Sequence, residues 1–111
     1  MTSVELYEIL NSIQGFRGKV AYRAFRDTPE QPAPSLPFII FEETETNNFK
    51  ADNQVYMVIP SFDVDLCIEF RDPEIEAAIE TKLNEHGIRW ERYPEWLEDQ
   101  RMYQITYEVE A

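Results

Sequence analysis

The chain has 111 residues, 43% hydrophobic and 14% aromatic; this suits one domain with its own core and is unlike the composition of disordered chains. Its 22 acidic residues against 10 basic ones leave a formal charge of −12, a field that repels phosphate backbones and argues against sequence-specific nucleic-acid binding. Cys67 is the single cysteine, so no internal disulfide can form and a reducing compartment is expected. The stretch Met1-Thr2-Ser3-Val4-Glu5 lacks the basic flank and apolar run of a signal segment, and no run is long enough for a membrane span. A cytosolic product with no membrane partner is expected.

In chain order, Thr2-Ser3-Val4-Glu5 has the pattern of a capping box. Leu6, Ile9, Leu10 and Ile13 follow at helical spacing, with Gly15 as the expected stop. Residues 19–25 read as a strand with Val20, Tyr22 and Ala24 on one side. Four prolines from Pro29 to Pro37 mark an irregular loop. Order resumes in the strand-like run Pro37-Phe38-Ile39-Ile40-Phe41. The connection that follows, TNNFKADNQVY from Thr46 to Tyr56, is far longer than a hairpin needs and reads as a long polar loop around Phe49.

Residues 62–70 alternate strictly. Phe62, Val64, Leu66, Ile68 and Phe70 form an apolar set, and Asp63, Asp65, Cys67 and Glu69 form the opposite one, as on a strand with one face on a core. Asp72-Pro73-Glu74 opens a second helix, with Asp72 as N-cap and Pro73 in the first turn. Ile75, Ala78, Ile79 and Leu83 form its stripe, and Gly87 ends it. Residues 88–93 read as a strand broken by Pro94. A last strand over 102–110 sets Tyr103, Ile105, Tyr107 and Val109 against Gln104, Thr106, Glu108 and Glu110. This order predicts an α+β fold: a mainly antiparallel sheet of four to five strands with both helices packed on one face.

Residues able to do chemistry are sparse. His86, the single histidine, falls at the expected end of the second helix, where a cation suits the helix dipole and no nucleophile is near in sequence. Cys67 has no second cysteine with which to form a metal site. Asp63, Asp65 and Glu69 present oxygens on one strand face, which is equally the pattern of a solvated sheet or of a hard-cation site. The three glycines are Gly15, Gly18 and Gly87, so there is no phosphate-binding glycine loop. No catalytic, cofactor-binding or metal residue is expected, and the chain does not read as an enzyme. Trp90, Tyr93 and Trp96 cluster around Pro94 and are of the types that anchor interfaces. Trp90 reads as core, and Trp96 as either a core cover or an interface residue.

The runs LPFIIFEE, TNNFKADNQVY and FDVDLCIEFRDPEIEAAIETKLNEHGI, closing with MYQITYEVEA, together resemble the small tail-component proteins of long-tailed bacteriophages and prophages of Gram-positive bacteria. Those proteins are tail terminators or head-tail completion proteins. The resemblance spans about residues 36–111 and rests on Asn48-Phe49, Ala51-Asp52-Asn53, Val55-Tyr56, Asp72-Pro73-Glu74 and Met102-Tyr103-Gln104. It implies a tail-terminator-like subunit without catalytic residues that joins copies of itself in a hexameric ring, caps the tail tube and meets the head connector or head-closure protein. It would assemble in the host cytoplasm and end at the head-tail junction of the virion. A neck or head-closure role in the same phage is the near alternative, and a small acidic inhibitor of a bacterial partner is the distant one. On the ring reading, Asn48, Phe49, Asp52, Asn53, Tyr56 and Trp96 are the interaction residues, with Phe49 as apolar anchor. The alternative for Phe49 is a solvated loop in which its ring folds back on its own sheet. Asp63, Asp65 and Glu69 would face a channel through which DNA slides without capture.

Overall fold

A computed structural model of the chain describes residues 1–51 and 54–110, and their side chains outside 45–59. The elements are α1 (Ser3–Asn11), β1 (Val20–Tyr22), β2 (Phe38–Ala51), β3 (Gln54–Ile68), α2 (Pro73–Glu85), β4 (Arg89–Leu97) and β5 (Met102–Glu110). The strands form one sheet in the order β1-β2-β3-β5-β4. β1 runs parallel to β2, and every other neighbouring pair is antiparallel. The fold is therefore α+β with a five-stranded mixed sheet and two helices.

Period-two strands and period-3.6 helices meet in one core. Ile39 and Phe41 of β2, Phe62, Val64, Leu66 and Ile68 of β3, and Ile105, Tyr107 and Val109 of β5 project to the same side. They pack there against Leu6 and Leu10 of α1 and Ile79 and Leu83 of α2, so both helices cover one face. Each such side chain contributes about 1.5–3 kcal/mol by leaving water. Among the described residues, the opposite face carries no helix.

Both helix starts follow the sequence. Thr2 caps α1, its hydroxyl oxygen accepting from the Glu5 amide at 3.2 Å. Asp72 caps α2, accepting from the Glu74 amide at 2.9 Å, with Pro73 in the first turn. Gly87 follows the C-cap residue His86 with φ +67, a conformation that other residues adopt at a cost.

Several boundaries differ from the sequence reading. α1 ends at Asn11, before Gly15, because the Ser12 hydroxyl donates to the Ile9 carbonyl at 2.6 Å and closes the last turn. β1 stops at Tyr22, short of the expected residue 25, because Arg23 has φ 70 and leaves extended geometry. β3 ends at Ile68, so Glu69 and Phe70 lie beyond the strand and Phe70 is 72% exposed. On α2, Ala78 is exposed and Glu76 is buried in its place. β4 runs straight through Pro94, which is tolerated because β4 is an edge strand and a missing N–H costs it no outer ladder bond.

The largest difference is the connection at 46–56. It is a hairpin, with β2 and β3 paired as far as Ala51↔Gln54. Asparagines and the absence of alternation made the segment read as a loop. Its pairing is instead supplied across the hairpin, where Asn47, Asn48 and Phe49 oppose Ile59, Val58 and Met57.

Candidate functional site

Two features outside the core set this molecule apart: the helix-free sheet face and the projecting hairpin. On the face, strand register places Glu42 of β2 opposite Asp63 of β3, Asp63 opposite Glu108 of β5, and Glu108 opposite Glu91 of β4. Four carboxylates thus form a straight row across four strands, one from each. Like charges directly opposite on a sheet repel and lower stability. The Asp63 carboxyl is accordingly held above its ordinary pKa, first by partial burial and then by Asp65, Glu108 and Glu42.

The neighbouring row is Ile40, Asp65, Thr106 and Tyr93. Its carboxylate is partly satisfied, since the Thr106 hydroxyl donates to Asp65 at 2.7 Å. Tyr93 is half-exposed and its hydroxyl donates to Glu91 at 2.6 Å. Beyond it come Phe38, Cys67, Gln104 and Glu95. Cys67 is buried, and burial, followed by the charge of Asp65, pushes its thiol up to about 11. A thiol held that far from ionisation is a packing group at neutral pH. Cations border the face: Arg23 pairs with Glu42 at 3.4 Å, and Arg89 lies opposite Glu110.

The hairpin leaves the body at the end of the sheet where the carboxylate row lies. β1 pairs with β2 only at Ile39, Ile40 and Phe41, and β5 pairs with β3 only from Ser61 onward. From Thr46↔Pro60 to Ala51↔Gln54, β2 and β3 pair with each other and, among the described residues, with no third strand. Six residues of strand span about 20 Å at ~3.4 Å each, consistent with a molecule of 52 × 32 × 28 Å. Register shifts fall at the base of the projecting arm, between Glu43 and Thr46, and within it, between Phe49 and Lys50. Such irregularities bend and twist a ribbon locally.

The expected interaction residues therefore separate. Asn48 and Phe49 stand on the β2 limb of the arm and Tyr56 on the β3 limb. Asp52 and Asn53 lie outside the described residues. Trp96 is elsewhere, near the opposite end of the sheet. It packs edge-on to Tyr103 with ring centroids 4.9 Å apart, is 40% exposed, and donates through Nε1 to Glu98. Trp90 flanks the core against Tyr107 at 5.6 Å and is half-buried rather than enclosed. Of the three acidic residues expected on one strand face, Asp63 and Asp65 share it, whereas Glu69 follows the end of β3. His86 is exposed at the end of α2.

Sequence reasoning missed the ion cluster that ties α2 to the sheet. Arg71 donates twice to Glu76, at 2.9 and 3.2 Å, and Arg92 of β4 reaches Glu76 at 3.3 Å and Glu80 at 2.7 Å. The buried Tyr107 hydroxyl donates to Glu80 at 2.8 Å, and burial with that bond raises its pKa. The available signal was Glu76 and Glu80 at i, i+4 on the flank of the α2 stripe. Their partners lie in Arg71, ahead of the helix, and in Arg92, on a strand formed later in the chain.

Among the described residues, no group of three or more His, Cys, Asp or Glu side chains is placed to hold a metal ion. Likewise, no helix among them is long and apolar enough to cross a membrane. No family model, curated protein or solved structure matches the chain.

Proposed function

We propose that this chain is a structural assembly subunit of a long-tailed bacteriophage or prophage: the tail terminator, which forms a hexameric ring on the tail tube and joins it to the head connector. The observation that carries this reading is the two-stranded arm reaching beyond the core. An isolated hairpin is marginal in water, so an arm of this length gains its stability from a neighbour. A ring of identical subunits needs two different patches on each copy, and the arm and the body supply them. The carboxylate row supports the same reading, because an acidic lumen lets DNA slide past without the phosphate neutralisation that causes capture.

Native mass spectrometry of the purified protein over a range of concentration and salt, with and without isolated tail tubes, tests this proposal. A closed ring, or a ring formed on tube ends, is the expected result. A strict monomer that ignores tail tubes would sink it, as would a ring whose lumen is lined by lysines.

The in-register row also favours a second reading, a small acidic module that mimics nucleic-acid charge and inhibits a basic bacterial partner. That reading requires a monomer that binds a basic protein in a salt-dependent way.

A further inference from the structure

We propose that copies of this chain join arm to arm, the β3 limb of one hairpin pairing antiparallel along the β2 limb of the next. This rests on the assembly reading above and specifies its contact. The first argument is backbone accounting. Between Thr46↔Pro60 and Ala51↔Gln54 each limb spends one edge on the other limb, and no further strand of the described chain lies along either outer edge. An unpaired edge is a template for another strand.

The second argument is how this protein treats its other edge. The nine residues of β4 include Pro94 and the charges of Arg89, Glu91, Arg92 and Glu95, which are the devices that block strand addition. The arm is built the opposite way. Residues 46–51, TNNFKA, hold one charge, and residues 54–59, QVYMVI, hold none. The run Val55-Tyr56-Met57-Val58-Ile59 is five apolar residues in succession, the pattern of a strand covered on both faces. Among the described residues, β3 contributes to the core under α1 and α2 from Phe62 to Ile68, and no strand other than β2 pairs with its arm.

The third argument is direction. A second copy is the occupant this geometry fits. The two limbs run in opposite directions, so joining the β3 edge of one copy to the β2 edge of the next is antiparallel at every junction. That contact uses two different edges and leaves one of each free, so it propagates until rotation closes it. Pairing through one limb alone with its like is isologous and makes a two-fold dimer.

The test uses the full chain. In one protein, single cysteines are scanned over 46–50, and in a second over 55–59; Cys67 is buried and serves as the background. On mild oxidation the mixed proteins should cross-link between unlike limbs, and each protein alone should not cross-link. Met57→Lys with Ile59→Lys should leave thermal unfolding of the body unchanged while weakening self-association about tenfold or more in apparent dissociation constant. Cross-links between like limbs, or assembly of the lysine variant at wild-type concentrations, would overturn arm pairing even if rings form. Conversely, unlike-limb cross-links in open ribbons that do not cap tail tubes would leave the pairing standing and defeat the terminator reading. A wild-type protein that stays monomeric at all concentrations and ignores tail tubes, with limb amides unprotected from hydrogen exchange, would overturn both.

Discussion

Glu76 occupies a core position with 4% of its surface exposed, and it can do so because two guanidinium groups reach it. A buried carboxylate left without a partner retains its full desolvation cost. Arg71→Ala removes two of its hydrogen bonds while Arg92 remains, so a loss of about 1–3 kcal/mol is expected in urea unfolding. Arg101→Ala is the control, because its pair with Glu98 spans 3.8 Å between side chains that are both at least 75% exposed; its effect should be close to zero. Equal effects would show that the cluster does not anchor α2. Asp63 behaves in the opposite sense. A carboxyl whose folded pKa lies above its ordinary 3.8 adds stability below that value and loses it as pH rises through the folded one. Asp63→Asn should therefore stabilise the protein at neutral pH, by about 0.2–1 kcal/mol for relief of opposed like charges. That advantage should vanish as the solution is acidified through the folded pKa. A pH-independent difference between the variant and wild type would remove repulsion as the cause.

At the scale of elements, local rules predicted starts better than ends. The caps at Thr2 and Asp72 depend on residues two or three positions away, so both were legible in the sequence. Asp72→Ala should cost about 0.5–2 kcal/mol, read as a lower midpoint in thermal or urea unfolding; an unchanged midpoint would mean that the Asp72 side chain does not stabilise α2. The alternation in β3 and β5 was legible for a similar reason, since each has one wet and one dry face. Ends depended on more. β4 continues through Pro94 because it is an edge strand, and edge position follows from strand order. The hairpin was misread because its pairing is set by register across the two limbs rather than by an alternating pattern along either one.

At the scale of the whole molecule, the core and the arm have separate work. The buried cluster of α1, α2 and the sheet holds the subunit together, and the arm extends past the part of the sheet in which β1 and β5 pair. Phe49→Ser should therefore leave unfolding of the subunit unchanged and reduce its assembly yield, measured by native mass and by capping of tail tubes. An unchanged yield would reject Phe49 as an anchor. The carboxylate row belongs to this scale too. Glu42, Asp63, Glu108 and Glu91 come from four strands and become a row only when all four align. Two of these strands are separated in sequence by α2, and no spacing along the chain announces the row. By itself the sequence determined the helix caps, the faces of β3 and β5, the acidic character and the α+β class, because each follows from interactions within a few residues or from composition. Tertiary structure alone decided the parallel β1–β2 pairing, the burial of Glu76, the carboxylate row and the projecting arm. Each of these depends on which distant segment lies alongside, and that is settled by the packing of the whole chain.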